Sequence, residues 1–239
     1  MQPVAFVTGA AGGIGRAAVA ALRARKMRVF GTDLALAEIP CGEPDFFTAS
    51  LDVTDERAVT QSVARALAEF GRIDHVVHLA GKAGAGPVTA VSREDWDSLL
   101  ATNLTSAFLL AKAAFESLRA SRGTLTLMSS TNGLNGGTAL SGPAYAVAKA
   151  GIINLTRYLA REWASDGIRV NCLAPGPIDT PMVTQRFSSD VIEKLRRSVP
   201  LQRLGTADEI AHAIDYLTSE RAGFVTGTVM NLSGGVVLD

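Results

Sequence analysis

The sequence has few of the residues that disulfide, membrane or export functions need. Only two of its 239 residues are cysteine, too few for a disulfide framework. It has no apolar run of about 18 residues, the length that a transmembrane helix requires. Its first residues lack the basic stretch that precedes the apolar core of a signal peptide. We therefore expect a cytoplasmic protein with no membrane partner.

The sequence also lacks net charge and a plausible metal-binding cluster. It has 23 basic and 23 acidic residues, so no long-range field favours nucleic acid. His75 and His78 fall three positions apart in one predicted strand, where side chains alternate between faces, so they are expected to point apart. His212 is expected on a helix surface and Cys172 in the core. These residues predict no metal site.

Short apolar runs alternate with longer stretches of helical periodicity. This alternation is typical of βαβ units, and continuous apolar strands indicate burial on both faces of a parallel sheet. We expect a single α/β domain over residues 1–239, with a doubly wound sheet of about seven strands and helices on both faces. The predicted strands are 4–8, 28–32, 46–50, 73–79, 124–129, 169–174 and 229–232. The predicted helices are about 13–25, 55–69, 92–101, 103–120, 143–165, 184–197 and 206–219.

A glycine-rich turn joins the first predicted strand to the first predicted helix. Residues 9–15 read Gly-Ala-Ala-Gly-Gly-Ile-Gly. Glycine allows positive φ and close approach of the backbone to a phosphate, and a helix start offers free N–H groups to an anion. A tight βα turn without a ligand would have a similar composition. The position between a strand and a helix favours a dinucleotide site.

An acid follows the second predicted strand. Asp33 lies 18 positions after Gly15, the spacing of a carboxylate that binds the adenosine ribose, although a strand-end turn would also accept it. Its charge would repel the 2′-phosphate of NADP by about 4 kcal/mol at about 4 Å in a medium of ε about 20. Gly12 occupies a position where a basic residue could bind that phosphate, but Arg16 in the first helical turn could still reach it. The sequence predicts NAD.

A tyrosine and a lysine lie one turn apart in the predicted helix 143–165. Tyr145 and Lys149 share a helix face, and a neighbouring ammonium lowers the pKa of a phenol, which makes it a usable acid/base. The pair alone would equally suit a solvated helix surface. Ser129 and Ser130 end an apolar strand upstream, at the sheet edge where doubly wound folds bind ligands. A serine there can bind a substrate oxygen or cap the backbone.

Taken together, these motifs give a chain that resembles the short-chain dehydrogenase/reductase family over essentially its whole length. The resemblance implies a Rossmann fold. The matching residues, in order, are Thr8-Gly9-x-x-x-Gly13-Ile14-Gly15, Asp52-Val53, Asn103, Ser130, Tyr145-x-x-x-Lys149 and Pro175-Gly176-Pro177-Ile178-Asp179-Thr180.

The resemblance implies a role for each residue of the site. Tyr145 would be the acid/base, with a pKa lowered by Lys149, and Ser130 would hold the substrate oxygen. Asn103 would support a water-linked proton relay through Lys149. The expected catalytic residues are Asn103, Ser130, Tyr145 and Lys149. The expected cofactor contacts are Gly9, Gly12, Gly13, Ile14, Gly15, Asp33, Asp52, Val53, Ala80, Gly81, Tyr145, Lys149, Pro175, Gly176, Ile178 and Thr180.

Two positions depart from the family pattern. Leu79 stands where the family usually has Asn before Ala-Gly, so the hydrogen bonds of that side chain must be absent. Ser130 lies 15 positions before Tyr145, about two more than expected, which predicts a longer loop over 131–142 and leaves Ser129 as an alternative to Ser130.

The expected function is NAD-dependent transfer of a hydride between a secondary alcohol and a ketone. The alternatives are a non-catalytic NAD-binding sensor and a lyase-type chemistry on the same scaffold. Residues 82–91, 131–143 and 180–204 are expected to form the substrate pocket, with few fixed charges. In 180–204 a cluster of Lys194, Arg196 and Arg197 suits a solvated helix face, although these residues or Arg186 could meet an acidic substrate if the segment is a lid. Apolar helices 103–120 and 143–165 and the resemblance predict a homo-oligomer, a dimer or tetramer.

Overall fold

The central element is a parallel sheet with the strand order β3-β2-β1-β4-β5-β6-β9. A computed structural model describes residues 2–35 and 45–238. All neighbouring strands of this seven-stranded sheet pair in parallel, which confirms the predicted doubly wound α/β class. Its strands are β1 Val4–Thr8, β2 Arg28–Asp33, β3 Phe46–Ser50, β4 His75–His78, β5 Thr124–Met128, β6 Arg169–Pro175 and β9 Val229–Leu232. Two short strands, β7 Ile178–Asp179 and β8 Gly205–Thr206, pair separately.

Helices connect the strands on both faces of the sheet. They are α1 Gly13–Ala24, α2 Glu56–Phe70, α3 Arg93–Leu100, α4 Ser106–Ser121, α5 Thr131–Asn135, α6 Pro143–Glu162, α7 Pro181–Thr184, α8 Ser189–Ser198 and α9 Ala207–Leu217. A π-helical turn, Ala101–Thr105, joins α3 to α4, so the two helices predicted there are continuous. The predicted loop 131–142 begins with α5, and the helix predicted at 184–197 begins only at Ser189, after the separate turn α7.

Alternating strand side chains fill an apolar core on each face of the sheet. Phe6 and Phe30 are paired across β1 and β2, stack at 5.5 Å between ring centres and belong to the core under α2, α4 and α6. Val7 and Val29 point to the opposite face, into the core under α1 and α9. Both faces are therefore covered, and the carboxyl edge of the strands is left to form a site.

The continuous helix Arg93–Ser121 is long and apolar enough to cross a membrane by length and composition alone. It has 29 residues and a mean hydropathy of 1.3 in its most apolar window, of which 44% is buried inside the protein. Leu110 and Ala114 of this helix belong to the core against the sheet. Since a core helix meets the same criterion, its apolar composition follows from packing.

Candidate active site

A cavity of about 720 Å³ opens at the carboxyl edge of the sheet. It is bounded by the ends of β5 and β6, the start of α6, and the segment from β7 to α8. The predicted site residues that line it are Ile14, Gly81, Asn103, Ser130, Tyr145, Lys149, Pro175, Gly176, Ile178 and Thr180. The fold thus brings the four predicted catalytic residues to one cavity.

The glycine turn, residues 9–15, lies beside this cavity. Two of its glycines stand where a side chain would not fit. Gly9 has φ +68°, and a Cβ at Gly15 would lie only 2.0 Å from the Gly9 carbonyl oxygen. Gly12 caps α1, and the first turn of α1 carries no acidic residue. Backbone N–H groups at the start of α1 therefore face a position suited to a pyrophosphate.

Asp33 lies beside this turn at the end of β2. Its Oδ2 accepts a hydrogen bond from the Ala11 N–H at 3.0 Å, and its Oδ1 accepts one from the Ala35 N–H at 3.1 Å. The Nε of Arg16 donates to the Ala11 carbonyl at 2.7 Å. The carboxylate and part of the guanidinium are thus both engaged by the glycine turn, and Asp33 stands at the side of it where an adenosine ribose would bind.

Asp52 and Val53 lie just after the neighbouring strand β3 rather than in the cavity wall. Asp52 Oδ1 accepts hydrogen bonds from the Thr54 N–H at 2.9 Å and the Thr54 hydroxyl at 2.7 Å. These two bonds hold the pKa of Asp52 below its usual value. Asp52 is therefore a fixed anionic acceptor, and Val53 beside it is buried.

Lys149 is almost wholly buried at the centre of the site. Its Nζ donates to the Met128 carbonyl oxygen at 2.9 Å and lies 5.5 Å from the centre of the Tyr145 ring. Burial lowers the pKa of Lys149 to about 8. A Cβ at Gly81 would lie 2.8 Å from Asn103 Oδ1 and 3.6 Å from Lys149 Nζ, so only glycine lets these two groups share the space.

Asn103 is held by the backbone around the π-helical turn. Its Nδ2 donates to the carbonyls of Leu99 at 3.1 Å and Lys82 at 3.0 Å, and its Oδ1 accepts from the Lys82 N–H at 3.3 Å. These bonds fix the amide orientation and tie α3 to the chain after β4. Single π-turns inside α-helices often mark functional positions.

Tyr145 differs in its protonation from the sequence expectation. Burial raises the pKa of Tyr145, while a hydrogen bond with Ser130 and the positive charge of Arg186 act in the opposite direction. The net shift is upward, whereas the sequence led us to expect a pKa lowered by Lys149. Desolvation outweighs the nearby charges, and Tyr145 is a neutral phenol at neutral pH.

The two serines after β5 have different partners. Ser129 Oγ donates to the Lys149 carbonyl at 2.7 Å, which ties β5 to α6. Ser130 is close enough to Tyr145 to act on its pKa, in the lowering direction, and its Oγ accepts from the Asn132 N–H at 3.2 Å at the start of α5. Ser130 is therefore the serine placed to meet a substrate oxygen.

The chain matches known proteins along nearly its full length. Residues 9–237 match the family model described as enoyl-(acyl carrier protein) reductase. The 3-oxoacyl-[acyl-carrier-protein] reductase FabG of Escherichia coli is 38% identical over 98% of this chain and 97% of its own length. The chain belongs to the short-chain dehydrogenase/reductase family.

Two further members of the family illustrate its range. The acetoacetyl-CoA reductase of an Acinetobacter species is 34% identical over 99% of this chain and 98% of its own length. The crystal structure of the protein gox2181 superimposes with a TM-score of 0.89 at 29% identity, covering 98% of this chain and 95% of that one.

Leu79, where the sequence departs from the family pattern, contributes apolar packing, and its neighbour His78 makes polar contacts. Leu79 packs against the apolar core under α1 and α9. His78 is buried, with Nδ1 2.8 Å from the Thr8 hydroxyl and Nε2 2.9 Å from the Ser106 hydroxyl. Ser106 donates to the Thr102 carbonyl at 2.6 Å, so we infer that His78 Nε2 carries the proton and Nδ1 accepts from Thr8. This hydrogen-bonded chain links β1 to the π-helical turn that carries Asn103.

Arg186 was named from the sequence as a possible contact for an acidic substrate, but its position near Tyr145 could not be predicted. Its Nη2 donates to the carbonyls of Gly84 and Leu140, the latter at 2.9 Å. The Leu140 and Gly84 segments flank Tyr145, which explains the effect of Arg186 on the pKa of that residue. The signal for Arg186 in the sequence was its position within residues 180–204, the segment expected to cover the site.

We predict that His78→Leu destabilises the protein by about 2–3 kcal/mol, because the buried Thr8 and Ser106 hydroxyls lose their hydrogen bonds to the imidazole. His75→Leu is the control: His75 is half-buried and bonds only the Thr124 hydroxyl, at 2.9 Å, among the described residues. Urea unfolding of both variants measures the difference. Equal losses in the two variants would contradict the proposed linking role of His78.

We predict that Lys149→Met abolishes turnover without destabilising the fold. Burial disfavours the ammonium form of Lys149 by about 1.4 kcal/mol for each unit by which its pKa is lowered. Removing the ammonium relieves this cost, whereas leaving the Met128 carbonyl without its hydrogen bond costs about 1–3 kcal/mol. The free energy of unfolding at neutral pH should therefore stay within about 1 kcal/mol of wild type or rise. The exposed Lys112, paired with Glu56, gives the control Lys112→Met, which should keep full activity. A clearly less stable Lys149→Met variant would show that the ammonium stabilises the fold.

Proposed function

We propose that this oxidoreductase transfers a hydride between NAD(H) and a secondary alcohol or the matching ketone. The observation that carries the proposal is the convergence of Ser130, Tyr145 and Lys149 in one cavity next to the glycine turn. A bound nicotinamide would supply or accept the hydride. The chain itself would orient the substrate oxygen through Ser130 and exchange a proton at the Tyr145 hydroxyl.

Tyr145 is neutral at neutral pH, which suits proton donation. A neutral phenol is the form that gives a proton to a carbonyl oxygen as a ketone is reduced. Alcohol oxidation needs the phenolate, so its rate should increase with pH more steeply than the rate of reduction. Lys149 and Asn103 would hold the nicotinamide ribose and a proton-relay water, since their polar atoms meet beside Gly81.

The proposal of NAD rests on Asp33. Its carboxylate is fixed by the Ala11 and Ala35 N–H groups beside the glycine turn, where it would accept hydrogen bonds from ribose hydroxyls and repel a 2′-phosphate. Arg16 is tied through its Nε to the Ala11 carbonyl on the same turn, which limits its reach toward such a phosphate.

The names of the relatives favour a second candidate, the reduction of a 3-oxoacyl thioester. Two relatives are named for reduction of an acyl-carrier-protein substrate and of acetoacetyl-CoA. Such substrates contain the same ketone chemistry and differ in the group attached beyond it. A sensor without catalysis would need neither Ser130 nor Tyr145 in the cavity, and a lyase-type reaction would not need the nicotinamide site.

We further propose a single catalytic domain, a cytoplasmic location and a homo-oligomer, a dimer or tetramer. The outer surfaces of α4 and α6 expose large apolar side chains, with Phe108 51% exposed and Tyr158 64% exposed. A second copy of the chain would cover them.

We predict that Tyr145→Phe lowers the kcat of ketone reduction about 100- to 10,000-fold, because it removes the proton donor. NADH should still bind, as measured by its fluorescence. The control is Tyr158→Phe on the outer face of the same helix, which keeps the aromatic ring, lies outside the cavity lining and should behave as wild type. Turnover retained in Tyr145→Phe, assayed through NADH absorbance, would refute the acid/base role.

We predict that Asp33→Asn shifts the ratio of kcat/KM for NAD over NADP toward NADP by about tenfold or more, because it removes the repulsion of the 2′-phosphate. The control is Asp45→Asn. Asp45 is exposed and lies just before β3, at the amino-terminal ends of the strands, whereas Asp33 lies at the carboxyl-terminal ends. A wild-type protein that prefers NADP would overturn the assignment of Asp33.

A further inference from the structure

The walls of the active-site cavity carry positive charge without any acidic side chain. Lys82, Lys149, Arg186 and Lys194 line it, whereas none of the described lining residues is Asp or Glu. The chain as a whole has equal numbers of acids and bases, so this imbalance is local. Cations gathered around a cavity attract an anion and raise its local concentration.

Arg186 has donors to spare at this cavity. Both of its recorded hydrogen bonds leave from Nη2, to the carbonyls of Gly84 and Leu140, and its guanidinium lies 5.0 Å from the centre of the Phe187 ring. A guanidinium has five N–H donors arranged as a fork that matches a carboxylate. The backbone contacts therefore fix the position of Arg186 and leave the rest of the fork for a ligand.

Arg186 is positioned close to the reacting end of the site. Gly84, which accepts its hydrogen bond, is packed against Tyr145: a Cβ at Gly84 would lie 3.3 Å from the Tyr145 Cβ. The charge of Arg186 also lowers the pKa of Tyr145. A group bound by Arg186 would thus belong to the same small molecule that meets the Tyr145 hydroxyl.

Helix α8 supplies a second cation to the cavity. Of the two acids of this helix, Asp190 and Glu193, neither lines the cavity, and Glu193 pairs with Arg196 and Arg197 at 2.6 and 2.7 Å. Lys194 lines the cavity and has no recorded ion pair among the described residues. The apolar residues that line the same cavity include Met182 and Val183.

We infer that the substrate is a hydroxy acid or keto acid whose carboxylate is bound by Arg186, with Lys194 as a second cation, and whose hydroxyl or carbonyl oxygen meets Ser130 and Tyr145. The inference rests on the proposed function. In oxidation the carbinol C–H bond would break and its hydride would pass to bound NAD⁺, the O–H proton would pass to the phenolate form of Tyr145 as the C=O bond forms, and the carboxylate would be unchanged. A short hydrocarbon joins the two ends of the substrate along the apolar residues of the lining.

The test compares aliphatic and alicyclic hydroxy acids with their methyl esters, which keep the carbinol and lose the charge. Each pair is assayed with NAD⁺ for the wild type, Arg186→Gln and Arg197→Gln. The last variant is the matched control, because Arg197 is 72% exposed and Glu193 keeps Arg196 as a partner. The measured quantity is the ratio of kcat/KM for acid over ester.

For the wild type we expect the acid of at least one pair to be preferred. Arg186→Gln should lower the acid-over-ester ratio about 10- to 100-fold, the range of a charge-assisted hydrogen bond. Arg197→Gln should leave the ratio unchanged. A purely structural role of Arg186 would lower the turnover of acid and ester equally and leave the ratio unmoved, which would overturn the inference.

Failure of the inference is distinguishable from failure of the proposed function. Turnover of the esters, or of a 3-oxoacyl thioester with NADH, in preference to every acid would reject the carboxylate site while supporting hydride transfer. If no carbinol or ketone of any charge is turned over with either nicotinamide cofactor, the proposed function and the inference both fall.

Discussion

The catalytic site is organised around one buried hydrogen bond, from the Lys149 ammonium to the Met128 carbonyl. An ammonium removed from water is costly unless it is paired or hydrogen-bonded, so this contact constrains where α6 can lie relative to β5. The Ser129 hydroxyl returns a bond to the Lys149 carbonyl, and the two elements are held at both ends of a single residue. Tyr145 lies one turn before Lys149, and Ser130 directly follows Ser129. The lysine contact, together with the apolar packing of α6 on the sheet, therefore brings Ser130 and Tyr145 to the same cavity.

The opposite wall of the site has its own anchor. The hydrogen-bonded chain through Thr8, His78 and Ser106 connects β1 to the π-helical turn, and the Asn103 amide then ties that turn to the chain after β4. Burial lowers the pKa of His78 to about 3, so the imidazole stays neutral and can both donate and accept. Leu79 fills space on the other face instead of adding polar contacts. The side-chain hydrogen bonds that hold this wall from β4 are therefore those of His78.

Sequence patterns were sufficient for the features that depend on local rules. The alternation of strands with helices, the glycine turn and the position of Asp33 at the end of the second strand can be read from periodicity and backbone sterics. The observed sheet order and the family membership confirm the predicted class. The direction of the Tyr145 pKa shift could not be predicted, because it depends on how the effect of burial compares with the opposing effects of the neutral Ser130 hydroxyl and the charged Arg186. The linking role of His78 was equally hidden, since its partners lie 70 and 28 positions away along the chain. Helix α5 was not predicted, because five residues are too short to show helical periodicity. Its start is stabilised by the Ser130 side chain, which accepts a hydrogen bond from the Asn132 N–H.

Chemistry and specificity are carried by different parts of this fold. Lys149 and Asn103 are fixed by backbone groups next to the sheet, whereas Arg186 is fixed by the carbonyls of Gly84 and Leu140, which belong to connecting segments. Connecting segments vary more readily than the elements that they join, so related proteins can share the first set and differ in the second. An identity of 38% along the whole chain therefore supports a common reaction more strongly than a common substrate. The positive charge of Arg186 and Lys194 at the cavity is the feature of this chain that bears most directly on its substrate.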